Sequence, residues 1–120
     1  MEYTPAVNEP PVPLREVAGF DWDTGNSEKS WERHRVSRAE CEEVFDQRPL
    51  LLSEDLAHSA REKRHLALGR TRSGRHLLVA FTLRGPLVRV ISARDMNRKE
   101  RGIYGAARIE EELPADSDVS

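Results

Sequence analysis

The stretch LVRVISARDMNRKER, residues 87–101, predicts a strand that is followed directly by a helix. Its first half is a β-branched apolar run, which is typical of a strand. Asn97 is suited to cap a helix, and Glu100 stands three residues later, which is the spacing of a capping box. The cations at or near this junction are Arg89, Arg94, Arg98, Lys99 and Arg101. We therefore expect positive charge to be concentrated there, as a polyanion-binding site would require.

Charge is distributed unevenly along the chain. The 120 residues have a net charge of −2, but from Arg61 to Tyr104 twelve Lys and Arg stand against three acids, a net charge of +9. Such a surface suits a phosphate backbone or an acidic protein segment, and charge alone does not choose between them.

Length and composition indicate a single small domain. No apolar run approaches the ~20 residues that a membrane span needs, and residues 1–15 have no apolar core like that of a signal peptide. Cys41 is the single cysteine, which excludes an intrachain disulfide and a cysteine-cluster zinc site, and it is expected in the core. We therefore expect a cytoplasmic protein that spans no membrane.

The chain divides into a flexible N-terminal arm (residues 1–19), a folded domain (residues 20–110) and an acidic disordered tail (residues 111–120). The arm holds four of the seven prolines and few large apolar residues, so that its ordering would bury little surface. The tail begins within the acidic run at residues 110–112, which is unfavourable at a helix C-terminus.

The domain is predicted to have an α+β fold. An N-terminal hairpin of two helices is expected. The first helix is residues 26–34, with Trp31 as its buried anchor, and the second begins at the capping box of Ser37 and Glu40. An antiparallel sheet of about four strands and a C-terminal helix after Asn97 follow. The strands are expected near residues 50–52, 63–70, 76–83 and 87–93, with a short edge strand at residues 20–23.

The turns predict the register of the sheet. A two-residue loop at residues 85–86 makes Leu83 face Val88 and Thr82 face Arg89. A four-residue loop at residues 72–75 pairs Leu68 with Val79 and His65 with Thr82. The predicted core face then carries Leu66, Leu68, Val79, Phe81, Val88 and Val90. The predicted polar face carries Lys63, His65, Thr82, Arg84 and Arg89.

A set of short motifs between residues 20 and 104 resembles the BrnT family of bacterial toxins. The matching pieces are Phe20-Asp21-Trp22-Asp23, Arg33-His34, Val36-Ser37, Glu43-Val44-Phe45, Asp55, His58-Ser59, Glu62, residues 67–71, Gly74-Arg75, Phe81-Thr82, Arg84, residues 89–94 and Lys99-Glu100. Ser30 stands where many members have Asn, and Asn26 where many have Lys.

The resemblance implies a small ribonuclease toxin of a type II toxin–antitoxin pair, with a RelE-like fold and no cofactor. It also implies an RNA substrate, an antitoxin with a ribbon-helix-helix DNA-binding domain, and contact with operator DNA only through the toxin–antitoxin complex. Self-association into a homodimer is left open.

RNA cleavage needs the 2′-hydroxyl in line with the phosphorus, groups that transfer protons, and cations for the charge that builds on the phosphate. The predicted catalytic residues are Arg89 and Arg94 for the phosphate and His34 and Glu100 for proton transfer, with Tyr104 as a further candidate. The predicted RNA-binding residues are Arg33, His65, Arg84, Arg98 and Lys99. No metal is required, because the 2′-hydroxyl is an internal nucleophile.

Several of these residues have competing structural interpretations. His34 is also placed to cap the carbonyls of its helix, and Glu100 to serve the capping box. His58, with Asp55 and Glu62, suggests either a metal site or a hydrogen-bonded loop, and the loop is favoured.

Two other function classes compete with the toxin. One is a non-catalytic RNA-binding or protein-interaction module on the same scaffold. The other is a small DNA-binding protein, which is disfavoured because the cations from Arg61 onward fall mostly on strands and turns and form no recognition helix.

Overall fold

The computed structural model describes residues 17–112, including the side chains of residues 17–108. The elements are β1 (Gly19–Phe20), α1 (Thr24–His34), α2 (Arg38–Asp46), β2 (Leu51–Glu54), β3 (His65–Arg70), β4 (His76–Arg84), β5 (Leu87–Asp95) and α3 (Arg98–Glu112), with one 3₁₀ turn at Leu56–His58. The predicted α+β class is confirmed. Residues 1–16 of the predicted arm and residues 113–120 of the predicted tail lie outside the described residues. Among the helices of residues 17–112, none has the length and apolar composition to cross a membrane.

The sheet has five strands in the order β1-β5-β4-β3-β2. The short strand β1 runs parallel to β5 at one edge, and the other neighbours are antiparallel. The predicted antiparallel sheet of about four strands was therefore wrong, because the sheet has five strands and is mixed, although the predicted edge strand is present as β1. The predicted helical hairpin was also wrong, because α1 packs on β5 and α2 packs on β3 instead of forming a separate pair.

Each helix starts at a capping residue, and the caps at Ser37 and Asn97 are as predicted. Asp23 caps α1 and Ser37 caps α2. In each case the side chain of the cap accepts from the amide three positions later, and the side chain of that later residue accepts from the amide of the cap. At the start of α3 the Glu100 amide donates to Asn97 Oδ1 at 2.8 Å, and the Asn97 amide donates to Glu100 Oε1 at 2.9 Å. These local signals are short-range, and tertiary packing did not override them.

The register of the central strands is partly as predicted. Leu83 faces Val88 and Thr82 faces Arg89, which confirms the register of β4 and β5. The register of β3 and β4 was wrong by one residue, because the connection runs from Thr71 to Arg75. The Arg75 amide donates to Thr71 Oγ1 at 3.0 Å and the Thr71 amide donates to the Arg75 carbonyl at 2.9 Å, which closes the longer turn.

A shift of one residue moves every side chain of a strand to the opposite face of the sheet. Leu66 and Leu68 therefore lie on the α3 face and not with Val79 and Phe81. His65 lies opposite Phe81, with ring centroids 5.3 Å apart, so the predicted pairing of His65 with Thr82 was wrong.

Both faces of the sheet are consequently packed. The core on the α1 and α2 side of the sheet consists of Val36, Cys41, Val44, Leu52, Ala67, Leu77, Val79, Phe81, Val88, Val90 and Ala93. The core on the α3 side consists of Leu66, Leu68, Leu78, Ala80, Met96 and Tyr104. The core position predicted for Cys41 is confirmed, and burial raises the pKa of its thiol to about 12.

Helix α1 is fixed to the outer edge of β5 by two buried polar side chains. Asn26 Nδ2 donates to the Val90 carbonyl at 2.9 Å, and Ser30 Oγ accepts from the Ala93 amide at 2.9 Å. These bonds lie further along the same edge of β5, beyond the end of the short β1. They satisfy backbone groups of β5 that would otherwise be unpaired. Trp31 is 47 % exposed, so its predicted role as the buried anchor was wrong.

Replacing Ser30 with alanine is expected to lower the free energy of unfolding by about 1–3 kcal/mol, because the buried Ala93 amide loses its acceptor. Urea unfolding of the purified chain measures the change. Lys29→Ala, at the exposed neighbouring position of α1, is the matched control and should stay within about 0.5 kcal/mol of wild type. Equal stability of Ser30→Ala and wild type would contradict this role of Ser30.

Candidate functional site

Helix α3 covers only part of its face of the sheet. Tyr104 donates to the Pro49 carbonyl at 2.7 Å and its ring lies 5.4 Å from that of His76, which places α3 over the end where β4 begins. At the opposite end, beside the hairpin of β4 and β5, the face opens into a cleft of about 490 Å³. We call it the basic cleft, and its lining is His58, Ala60, Arg61, Glu62, Arg64, Thr82, Arg84, Arg89 and Ile91.

Two of the four arginines of the basic cleft are held by carboxylates. Arg84 donates to both oxygens of Glu62 at 2.8 and 3.2 Å, and this contact keeps the pKa of Glu62 below its usual value. Arg89 lies 2.7 Å from Asp23 and 3.4 Å from Asp21, and its pKa is raised by the hydrogen bond to Asp23. These contacts fix the direction of both guanidinium groups.

Arg61 and Arg64 supply the excess positive charge of the basic cleft. Neither forms an ion pair with a carboxylate of residues 17–108. Four arginines and one glutamate line the cleft, and its Arg89 end borders Asp21 and Asp23. A phosphate entering the cleft would therefore meet two cations whose charge no described carboxylate offsets.

The loop between β2 and β3 brings a histidine and an aspartate to the same cleft. Nδ1 of His58 lies 3.1 and 3.0 Å from the two carboxylate oxygens of Asp55. Asp55 is buried, whereas His58 lines the cleft and is exposed. The loop hydrogen bonding that the sequence favoured for this pair is confirmed.

Arg94 lies at the far end of β5 from the basic cleft. It follows Arg89 by five positions along the strand, a distance of about 16 Å at the usual rise per residue. Arg89 therefore lies apart from the other cations of residues 89–101, and the expectation that all of them gather at one place was wrong for Arg89. Arg94 instead forms a bidentate ion pair with Glu100, in which Nη1 and Nη2 lie 2.8 and 2.9 Å from the two carboxylate oxygens.

Glu100 is 2 % exposed and joins β5 to α3. Burial would raise the pKa of Glu100, but hydrogen bonds from Arg94 and the Asn97 amide lower this pKa below its ordinary value. A buried carboxylate that accepts from three donors is a poor proton acceptor, and this geometry supports the capping interpretation of Glu100. Its predicted catalytic role, like that of Arg94, stays a prediction.

His34 and Arg33 are exposed at the end of α1 and do not line the basic cleft. The His34 and Arg35 carbonyls accept from Arg75, which also binds the carboxylates of Glu40 and Asp95. Arg75 therefore fulfils the capping that His34 was expected to provide, and His34 remains a proton-transfer prediction at a separate place.

The other predicted residues are also outside the basic cleft. Arg98 and Lys99 are exposed at the start of α3, near Arg94. His65 is buried on the α1 and α2 face, where burial lowers its pKa. Tyr104, a residue of α3, is buried against the sheet. Of the nine residues predicted to act in catalysis or RNA binding, the cleft therefore contains Arg84 and Arg89.

His58, Arg61 and Arg64 line the basic cleft but were not among the predicted site residues. Arg61 and Arg64 belong to the positive charge excess of the sequence, and Asp55 and His58 to its predicted hydrogen-bonded loop. The sequence therefore contains a signal for each of these cleft residues. Among residues 17–108, no group of three or more His, Cys, Asp or Glu side chains is arranged to hold a metal ion.

Comparison with known proteins gives one family. A family model described as "Ribonuclease toxin, BrnT, of type II toxin-antitoxin system" matches residues 22–100. The match includes both ends of β5, the Asp55 and His58 loop and all residues that line the basic cleft. No curated protein matches the chain at a significant level.

Proposed function

The chain belongs to the BrnT family of ribonuclease toxins of type II toxin–antitoxin systems, and from that premise we propose that it is an endoribonuclease whose substrate RNA lies in the basic cleft. The observation that supports this location is that Arg61, Arg64, Arg84 and Arg89 all line the same cleft. Guanidinium groups suit phosphate because they bind two oxygens at once and stay charged at physiological pH.

The proposed reaction is attack of the 2′-hydroxyl on the adjacent phosphorus, which releases the 5′-oxygen and leaves a 2′,3′-cyclic phosphate. Negative charge builds on the two non-bridging oxygens as the fifth bond forms, and fixed cations stabilise it. Arg84 and Arg89 are held in direction by Glu62 and Asp23, so they would need little rearrangement to bind those oxygens. Arg61 and Arg64 would attract the flanking phosphates.

An antitoxin is part of this proposal, since members of type II pairs are neutralised by a protein partner. We infer that an acidic segment of the antitoxin binds the same basic cleft, and that the antitoxin carries a ribbon-helix-helix DNA-binding domain. Expression of the chain alone should then stop growth, and co-expression with the product of a neighbouring small gene should restore it. Normal growth at good expression of the folded chain would contradict the toxin assignment.

RNA binding in the basic cleft is tested by its salt dependence. The double variant Arg61→Ala/Arg64→Ala should bind single-stranded RNA about tenfold or more weakly at low salt, with a slope of log affinity against log salt that is smaller by about 1–2. Fluorescence anisotropy with a labelled RNA measures both quantities.

Arg72→Ala removes an exposed arginine from the opposite end of the sheet, in the turn between β3 and β4, and is the matched control. Its affinity and salt slope should equal those of wild type. An equal loss in Arg72→Ala and in the double variant would place RNA binding outside the basic cleft. Binding without any cleavage would support the alternative of a non-catalytic RNA-binding module.

A further inference from the structure

The loop that carries His58 is fixed by its own hydrogen bonds. The Asp55 amide donates to the Arg64 carbonyl at 2.8 Å, so the two arms of the loop stay paired beyond the ends of β2 and β3. Ser59 Oγ donates to the Asp55 carbonyl at 2.7 Å and accepts from the Arg64 amide at 3.0 Å. His58 therefore stands on a closed turn with a defined direction and not on a free loop.

The contact between Asp55 and His58 determines which ring nitrogen of His58 is available. Asp55 is 5 % exposed, and both of its oxygens lie within hydrogen-bond distance of Nδ1. A carboxylate accepts only, so Nδ1 carries the proton, and in the neutral ring Nε2 is then a proton acceptor. The His58 side chain is 47 % exposed and lines the basic cleft, so its ring is accessible to a ligand there.

The remaining histidines occupy other environments. His65 is buried against Phe81 on the opposite face, His76 packs on Tyr104 under α3, and His34 lies at the end of α1. Histidine is the side chain that ordinarily gains and loses a proton near neutral pH. Among the four histidines of the chain, His58 is the one that shares a cleft with the arginines proposed to bind phosphate.

We propose that His58 is the catalytic proton acceptor of the ribonuclease and that Asp55 is its positioning residue; this rests on the proposed function. As O2′ bonds to phosphorus, its proton passes to Nε2 of His58 and the bond between phosphorus and O5′ breaks. The departing O5′ takes a proton from water, and His58 returns its proton to solvent. Asp55 holds Nδ1 protonated and stabilises the imidazolium that forms.

His58→Gln tests the proposal, because glutamine is a polar side chain of similar size that cannot accept a proton at neutral pH. Under single-turnover conditions its cleavage rate is expected to fall by about 10²–10⁴-fold, with RNA affinity within about threefold of wild type. Circular dichroism and urea unfolding report the fold. Leu56→Ala, at an 80 % exposed position of the same turn, is the control and should cleave like wild type.

A second variant separates proton transfer from structure. His58→Gly in the presence of added imidazole should regain part of the lost rate, whereas a purely structural role for His58 predicts no rescue. Asp55→Asn should lower the cleavage rate and change its pH profile with RNA affinity retained.

Unchanged cleavage by folded His58→Gln, beside an active wild type, would overturn the role of His58 and leave the proposed function intact. A wild-type chain that cleaves no RNA would overturn the proposed function and the role of His58 with it.

Discussion

Replacing Glu100 with glutamine is expected to lower the free energy of unfolding at neutral pH by about 3 kcal/mol, the scale for removing one partner of a buried ion pair. Glu100 is 2 % exposed and receives both terminal nitrogens of Arg94 together with the Asn97 amide. Glutamine keeps a capping acceptor but leaves the Arg94 guanidinium, itself a quarter exposed, without its carboxylate. A loss of this size is a large share of the stability of a small domain.

The same substitution has a defined pH signature. The pKa of Glu100 in the folded chain is lowered below the usual value of a glutamate, so its ionised form stabilises the fold at pH values above that usual value. This stability is lost as the pH falls through the lowered pKa. The difference between wild type and Glu100→Gln should therefore be greatest near neutrality and should shrink as the pH falls below the range in which glutamates ordinarily titrate.

Urea unfolding at several pH values measures this difference. Glu28→Gln, an exposed acid on α1, is the matched control and should stay within about 0.5 kcal/mol of wild type at neutral pH. A stable Glu100→Gln chain with abolished cleavage would instead support the predicted catalytic role of Glu100.

The largest expected effect on activity outside the His58 loop comes from Arg89. Arg89→Ala should lower the single-turnover cleavage rate by about 10²–10³-fold, because a fixed guanidinium beside the developing phosphate charge is lost. Asp21 and Asp23 stay partly in water, so the fold should be retained. Arg89→Lys restores the charge without the two-pronged geometry and should recover only part of the rate.

Arg94 provides the contrast within the same strand. It faces Glu100 at the other end of β5, so Arg94→Ala is expected to lower stability more than it lowers the cleavage rate of the folded fraction. Rates from folded Arg89→Ala within about threefold of wild type would remove Arg89 from the phosphate site.

Local signals in the sequence predicted much of the fold. The capping boxes at Ser37 and Asn97 and the two-residue turn before Leu87 involve residues that are neighbours in the chain, and all appear as expected. The register of β3 and β4 failed because the hydroxyl of Thr71 closes a turn one residue longer. That single residue moved His65 to the other face and out of the candidate site.

The candidate site was less predictable because it depends on tertiary contacts. Arg61 and Arg64 reach Arg84 and Arg89 only because the loop after β2 folds over the end of β4. Trp31 was expected to be buried by its size, but the backbone edge of β5 binds Asn26 and Ser30 and so turns Trp31 toward solvent. Residue type alone does not indicate either outcome.

The chemistry of the cleaved RNA tests the proposed reaction most directly. Purified chain is incubated with RNA, both free and on translating ribosomes, and the ends of the products are identified by mass spectrometry. Attack by the 2′-hydroxyl predicts 2′,3′-cyclic phosphate and 5′-hydroxyl ends, and no cut where the 2′-hydroxyl is methylated. Intact RNA in both settings, or products with 3′-hydroxyl and 5′-phosphate ends, would contradict it.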